Sequence, residues 1–300
     1  MLDIFNILKD KSDITRKTYI SKLNIIKKKY FPEQDDFEFI KKPLEVIKKL
    51  NDDNLSDCTK KLFFASLFAV SNIEDYRKEM LNLNLKITEE TKDNKVKENK
   101  KNNYITYKEL KSIMDKISDH DFDIMDRLLI GLYVLQPPLR NDYHGVELLE
   151  KNKPEKERKK GNYIVMRPKS WMFYLNEFKN VDVFGCQVYK YSKKFNSELY
   201  NLLKISFELL PRKYLITRQS GIPCTDVDIS KRIPQITKKY LNKELTINDI
   251  RKIYETNLIN SPRYKSLSLK NKEEEHHKLL HSFTTAHTSY NKINIVVDFD

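Results

Sequence analysis

The sequence predicts a mostly α-helical protein with a small antiparallel β-sheet, an α+β fold laid out as two domains. Three observations predict it. Apolar residues recur at helical spacing behind capping side chains through the first third of the chain. A run of Lys, Glu, Asp and Asn without periodicity separates that third from the rest. Three short β-prone runs then lie between residues 163 and 189, and helical patterns return after them.

In the first third, Ser12 caps a helix whose Tyr19, Leu23, Ile26 and Tyr30 share one face, with Lys and Arg on the other. A second helix is expected over Phe37 to Leu50, interrupted near its start by Pro43. A third runs from a Ser56 cap through Leu62, Phe63, Leu67 and Val70, and a fourth covers Glu74 to Leu83. Residues 1–85 therefore read as a compact helical module, and 86–103 as a solvated linker. The second domain spans 104–292. Thr106 and Glu109 form a capping-box pattern, and an apolar helix from about Phe122 to Gln136 is stopped by Pro137-Pro138. Tyr163 to Met166, Met172 to Leu175 and Gln187 to Tyr189 read as strands. Helices follow at about Phe195 to Leu210, Ser230 to Leu241, Ile247 to Leu258 and Asn271 to Leu280. Residues 293–300 form a tail whose Ile293, Ile295, Val296, Val297 and Phe299 make an adhesive, β-prone run.

Charged residues make up 33% of the 300 and hydrophobic residues 39%, which suits a folded chain with a real core. The net charge of +13 favours a polyanionic partner, because each phosphate neutralised by Lys or Arg releases a counterion. An AT-rich genome also encodes Lys-, Asn- and Ile-rich chains, so the charge gains meaning only beside particular residues. Cys58, Cys186 and Cys224 show no paired spacing, as expected in a reducing compartment. Met1-Leu2-Asp3-Ile4-Phe5 lacks the basic-then-apolar order of a signal peptide, and no apolar run approaches a membrane span. The expectation is a soluble, intracellular protein with no membrane partner.

The most informative segment is Leu280-His281-Ser282-Phe283-Thr284-Thr285-Ala286-His287-Thr288-Ser289-Tyr290, where a histidine precedes a tyrosine by nine positions. Upstream stand Arg140 in Pro137-Pro138-Leu139-Arg140, Lys179 in Asn176-Glu177-Phe178-Lys179, and Arg251 in Asn248-Asp249-Ile250-Arg251. A phenol oxygen can attack a phosphodiester, and two guanidiniums can clamp its non-bridging oxygens as negative charge builds. His277 and His281, at i and i+4, imitate a metal pair, but no HExxH glutamate and no third ligand accompany them. No metal and no other cofactor is expected.

In that order these residues resemble the active site of the tyrosine recombinases, the phage-type integrases. Pro137-Pro138-Leu139-Arg140-Asn141-Asp142-Tyr143 looks like the version found in integrases of large DNA viruses and related mobile elements. Thr15-Arg16-Lys17-Thr18-Tyr19 with Leu23 is similar to the start of that family's helical core-binding domain, so the resemblance covers nearly the whole chain. It implies a core-binding domain and a catalytic domain that close on duplex DNA as a clamp. Tyr290 would be the nucleophile that forms a 3′-phosphotyrosyl link. Arg140, Arg251 and His281 would stabilise the transition state, and Lys179 would protonate the leaving 5′ oxygen. Lys179 is preferred to its rival Lys169 because the family lysine sits in the turn after the second strand. Two positions depart from the pattern. Tyr143 stands where many members carry an acidic residue, with Asp142 one position early, and Asn248 stands where members carry His or Lys. An amide can bond a phosphate oxygen but cannot shuttle a proton at neutral pH.

The resemblance implies a site-specific recombinase that integrates, exchanges or resolves DNA, acting as a homotetramer with neither ATP nor a small-molecule substrate. It would work wherever its target DNA lies, in a host nucleus or a cytoplasmic replication site if viral. Two alternatives stand beside this. One is a type IB topoisomerase, which uses the same constellation as a monomer. The other is a DNA-binding protein that kept the fold and lost its chemistry, which Asn248 and Tyr143 keep open.

Overall fold

Small hydroxyl side chains set where many of the described helices begin. In the protein's structure, a computed structural model that describes residues 4–92, 104–118, 123–292 and Ile295, the chain divides into two compact units, Met1–Asp93 and Asn94–Asp300.

In the first unit, Ser12 and Ser56 each accept the backbone amide three residues on, opening the helices Asp13–Tyr30 and Asp57–Ser71 as expected. Between them Pro43 does not interrupt a helix. It starts one, at the first turn of Pro43–Asp52, where its missing N–H costs nothing, and the residues before it form a 3₁₀ turn, Glu38–Lys41. The last helix, Glu74–Lys92, runs well past Leu83 into the segment read as linker, since its charged residues are competent helix formers. Residues 93–103 lie outside the described residues. Leu23, Ile26, Phe39, Ile40, Val46, Leu50, Phe64, Leu67 and Tyr76 are wholly buried at the centre, and the Tyr76 hydroxyl donates to the Ile40 carbonyl at 2.8 Å.

The second unit is organised around the helix Ile124–Val134, whose residues are buried on nearly every side. A helix apolar all round belongs at the centre of a domain. It packs against Ser197–Leu209, Asp226–Leu241 and Ile247–Asn260. Beside it lies a four-stranded sheet, β1 Glu147–Leu149, β2 Tyr163–Arg167, β3 Ser170–Leu175 and β4 Gln187–Tyr191, in that order. The sheet is mixed, not purely antiparallel: β1 pairs parallel with β2 (Glu147 opposite Tyr163), while β2–β3 and β3–β4 are antiparallel. Three residues are too few to show alternation, so β1 exists through its non-local pairing. The remaining expected helices are present with shifted ends. The last, Leu269–His277, stops short of Leu280 because the chain turns through Leu280 at φ +57°. The 293–300 tail lies outside the described residues apart from Ile295, which is buried. Among the described residues no helix is long and apolar enough to cross a membrane.

The helix Ile247–Asn260 is fixed at its start by a capping box. Thr246 Oγ1 accepts from the Asp249 amide at 3.2 Å, and Asp249 Oδ2 accepts from the Thr246 amide at 3.1 Å. The Tyr104 hydroxyl donates to the other Asp249 oxygen at 2.9 Å. Thr246→Ala is therefore expected to destabilise the second unit by about 1 kcal/mol, measured by urea denaturation. An unchanged midpoint would show that tertiary packing alone starts this helix.

Candidate active site

One face of Ile247–Asn260 builds the site. Arg251 is wholly buried there, and Glu255 and Thr256, about one turn on, point the same way and are wholly buried too. The Arg251 guanidinium reaches three separate segments. Nη1 donates to the Pro138 carbonyl, Nη2 to the Leu279 carbonyl at 3.0 Å, and Nε to the Tyr290 hydroxyl at 3.3 Å. Its carbon also stands 4.9 Å from the centre of the Tyr290 ring. Thr256 Oγ1 donates to the Tyr290 carbonyl at 3.4 Å and accepts from the Lys292 amide at 2.9 Å, which pins the tyrosine's backbone to the same helix.

Tyr290 ends a short helical segment, Phe283–Thr285 continued by a π-turn over Ala286–Tyr290. Ser282 caps it by accepting from the Thr285 amide at 3.2 Å. The phenol is 8% exposed. Burial alone would raise its pKa, but the Arg251 and Arg140 guanidiniums outweigh burial and hold it below the usual tyrosine value. The His281 ring stands edge-on to Tyr290, 4.8 Å between centres.

Arg140 follows the Pro137-Pro138 turn and is half-buried. Its Nη1 donates to the Leu280 carbonyl at 3.4 Å, and its own carbonyl accepts from the Tyr133 hydroxyl at 2.8 Å. Among the described residues neither Arg140 nor Arg251 forms an ion pair with a carboxylate. Asp142 accepts the Arg140 backbone amide at 3.1 Å, so it fixes the turn that carries the arginine. Burial pushes the Asp142 carboxyl up, with that amide and the two guanidiniums pulling against it. Tyr143 is a core residue: its hydroxyl donates to the Leu132 carbonyl at 3.1 Å and accepts from Gln136 Nε2 at 2.6 Å.

The other expected residues stand apart from this cluster. Asn248 is exposed on the first turn of the Arg251 helix. Lys179 is exposed in the β3–β4 connection, one residue before Asn180, whose Nδ2 donates to the Leu280 carbonyl at 3.2 Å. Because β1 adds a strand, Lys179 follows the third strand. The two-residue turn after the second strand is Pro168-Lys169, closed by the Arg167–Ser170 pair.

A buried network behind His281 was not read from the sequence. Glu255 Oε1 lies 2.5 Å from His281 Nε2 and 3.2 Å from His276 Nδ1, and the Tyr264 hydroxyl lies 2.6 Å from His276 Nε2. Burial pushes the Glu255 carboxyl up, but its bonds to the two imidazoles prevail and hold it below the usual range. Burial pushes the His281 imidazole down, with Glu255 opposing. In the sequence, His277 and His281 imitate a metal pair by their i, i+4 spacing. The helix ends at His277, however, so that spacing no longer applies, and His276 takes the inward place while His277 is exposed. The three ligand atoms lie within 4.8 Å of one another. Two donors on one tetrahedral ion at about 2.0–2.1 Å would stand about 3.3 Å apart, so the 2.5 Å contact has hydrogen-bond geometry.

No family model and no curated protein matches the chain. In structure it is similar to the XerH site-specific recombinase bound to difH substrate in a pre-cleavage complex, at 15% identity over 91% of this chain and 74% of that one, with a TM-score of 0.49. It is also similar to XerA recombinase, at 13% identity, 95% and 91% coverage and a TM-score of 0.39. The post-cleavage complex of XerH with palindromic difH gives 12% identity, 89% and 86% coverage and a TM-score of 0.38.

The geometry makes Tyr290 an unusually acidic phenol in a chain where burial pushes many other tyrosines upward, among them Tyr76, Tyr104 and Tyr189. In a spectrophotometric titration, Tyr290→Phe is expected to remove an early part of the phenolate signal, below the ordinary tyrosine range. Arg140→Ala should move that part to higher pH. Superimposable curves for wild type and Tyr290→Phe would contradict the assignment.

Proposed function

We propose that this protein cuts and rejoins DNA strands as a tyrosine recombinase, through a 3′-phosphotyrosyl intermediate. One observation carries the reading. Arg140, Arg251 and His281 come from three distant parts of the chain and gather on Tyr290, and among the described residues the two guanidiniums are held by carbonyl oxygens and a phenol, with no carboxylate in an ion pair with either. Such a site is short of negative charge, and a phosphodiester supplies it. Tyr290 attacks phosphorus while Arg140 and Arg251 bond the non-bridging oxygens, most strongly as the pentacoordinate transition state gathers charge. The P–O bond to the 5′ oxygen breaks, and that oxygen takes a proton from a lysine. The phosphotyrosyl link conserves the bond energy for rejoining, so the cycle needs no ATP.

For the proton donor, the turn after the second strand makes Lys169 the first choice, on an exposed hairpin tip free to enter a groove. Lys179 is the second, on the strength of the adjoining Asn180–Leu280 contact. Kinship with the integrases of large DNA viruses and mobile elements, assembly as a tetramer on two DNA sites, and DNA binding by the helical unit all belong to the same proposal. It rests there on the Pro137–Tyr143 and Thr15–Leu23 segments and the net charge of +13.

The decisive experiment uses a nicked duplex library of random sequence, which traps any covalent adduct by release of the short strand. Wild type is expected to give an SDS-resistant adduct and Tyr290→Phe none, with equal binding in gel shifts. Binding without an adduct from wild type would support instead a DNA-binding protein that has lost its chemistry, the reading to which the exposed Asn248 lends weight. Arg140→Ala should slow adduct formation by about 10²–10³, the usual cost of one transition-state donor. Equal losses in binding and cleavage would make this arginine an ordinary phosphate anchor.

A 5′-bridging phosphorothiolate identifies the lysine, because a thiolate leaves without a proton. Lys169→Ala is expected to fail on the ordinary phosphodiester and recover on the sulfur substrate. Recovery by Lys179→Ala alone would move the role to that residue.

A further inference from the structure

The reaction proposed above needs an acceptor for the Tyr290 proton, and the position where the resembled family carries His or Lys holds Asn248, an exposed amide that cannot accept one. We propose that the Glu255–His281 pair fills this role, with His281 taking the phenolic proton at Nδ1 and Glu255 acting as the positioning residue that orients the ring and stabilises the imidazolium. The inference rests on the strand-transfer reading.

Four observations carry it. First, Glu255 sits one helical turn after Arg251, so the helix that places a guanidinium on the Tyr290 oxygen also places this carboxylate behind His281. Second, the 2.5 Å contact with Glu255 engages Nε2, and an ionised carboxylate accepts, so Nε2 carries the proton and Nδ1 keeps its lone pair. Third, Nδ1 is buried and has no partner, while the ring is in edge contact with Tyr290. An unpartnered buried acceptor beside a phenol that must lose its proton is not needed for stability, since leaving it unpaired costs free energy. Fourth, Glu255 is itself fixed. His276 Nδ1 donates to it at 3.2 Å, and the Tyr264 hydroxyl holds the far side of that ring at 2.6 Å.

The protons and bonds balance. As the Tyr290 oxygen bonds to phosphorus, its O–H breaks and the proton moves to His281 Nδ1. The P–O bond to the 5′ oxygen breaks, and the leaving oxygen takes its proton from the lysine. His281, now an imidazolium facing Glu255, can donate from Nδ1 to the charged phosphate, so the donor role implied by the resemblance follows the acceptor role in time. In the reverse step the same proton returns to the phenol. The arrangement is that of a carboxylate-oriented histidine serving an oxygen nucleophile, here a phenol. The charged and titratable groups facing His281 are Glu255 and Arg251 on one helix, His276 on the next and Tyr290 on the π-turn; Arg140 faces Tyr290.

A general base works when neutral, so the single-turnover rate of adduct formation should rise with pH through the His281 ionisation. The probe is a duplex chosen from the random library for cleavage by wild type, carrying a 5′-phosphorothiolate so that the lysine drops out of the profile. Glu255→Gln removes the carboxylate that favours the imidazolium, so the rising limb should move to lower pH. The plateau should fall roughly ten- to a hundredfold, short of the about 10²–10³ for losing a whole donor. A merely structural role would lower the plateau and leave the limb in place. His281→Ala should abolish the limb, and adding Glu255→Gln to it should cost nothing further. NMR titration of His281 in the DNA-free protein gives a readout independent of cleavage, in which Glu255→Gln should lower its pKa. A wild-type profile and rate in Glu255→Gln, an unmoved His281 titration, or an intact limb in His281→Ala overturns the inference while strand transfer stands. No adduct from wild type overturns both readings.

Discussion

The site depends on a fully buried guanidinium without a carboxylate partner. Burying an unpaired charge costs several kcal/mol unless its donors are all engaged. Arg251 engages its donors with the Pro138 carbonyl, the Leu279 carbonyl and the Tyr290 hydroxyl, which come from the turn after the central helix, the turn after Leu269–His277 and the last π-turn. Moving any of these segments away would strand the charge. The arginine therefore favours the arrangement in which these three segments lie together. A carboxylate partner would satisfy the charge more strongly, but it would also neutralise the attraction for phosphate. Neutral acceptors satisfy the geometry and leave the charge.

The same logic accounts for Leu280. A non-glycine residue in the left-handed region costs about 1–2 kcal/mol, and Leu280 sits there at φ +57°. That turn aims the Leu279 carbonyl at Arg251 and the Leu280 carbonyl at both Arg140 and Asn180, and it leads directly into His281. A relaxed continuation of the helix would point these carbonyls forward along its axis and carry His281 away from Tyr290. The local strain is offset by the charged hydrogen bonds it permits.

How much of this was legible in the sequence follows from the range of each signal. Ser12, Ser56 and Thr246 announce helix starts because a cap is a contact over three residues, and the apolar run Ile124–Val134 announces a central helix because every face is apolar. The order of Arg140, Arg251, His281 and Tyr290 was legible through resemblance, and the fold brings these four together. What failed depended on non-local pairing. Leu148 and its neighbours form a strand only because Tyr163–Val165 lies alongside. The His277–His281 spacing assumed a helix that ends at His277, and His276 is the buried histidine instead. Glu255 carried a faint signal, four residues from Arg251 on the same face, but only the fold shows that this face is buried.

On the proposal for Glu255 and His281, the departure at Asn248 need not mean lost chemistry. A site that moves a proton needs an acceptor of suitable affinity within reach of the nucleophile, and it is indifferent to which helical position supplies it. Asn248 stands at the exposed start of the Arg251 helix, and Glu255 stands two turns further along on the buried side, where low dielectric strengthens its hold on His281. Exposure would weaken a carboxylate–imidazole pair through solvent screening, whereas burial makes the pair depend on complete satisfaction. Here Tyr264 and His276 fill one side of the network, while among the described residues Glu255 Oε2 and His281 Nδ1 have no hydrogen-bond partner. A purely structural network would be stabler with those two atoms paired.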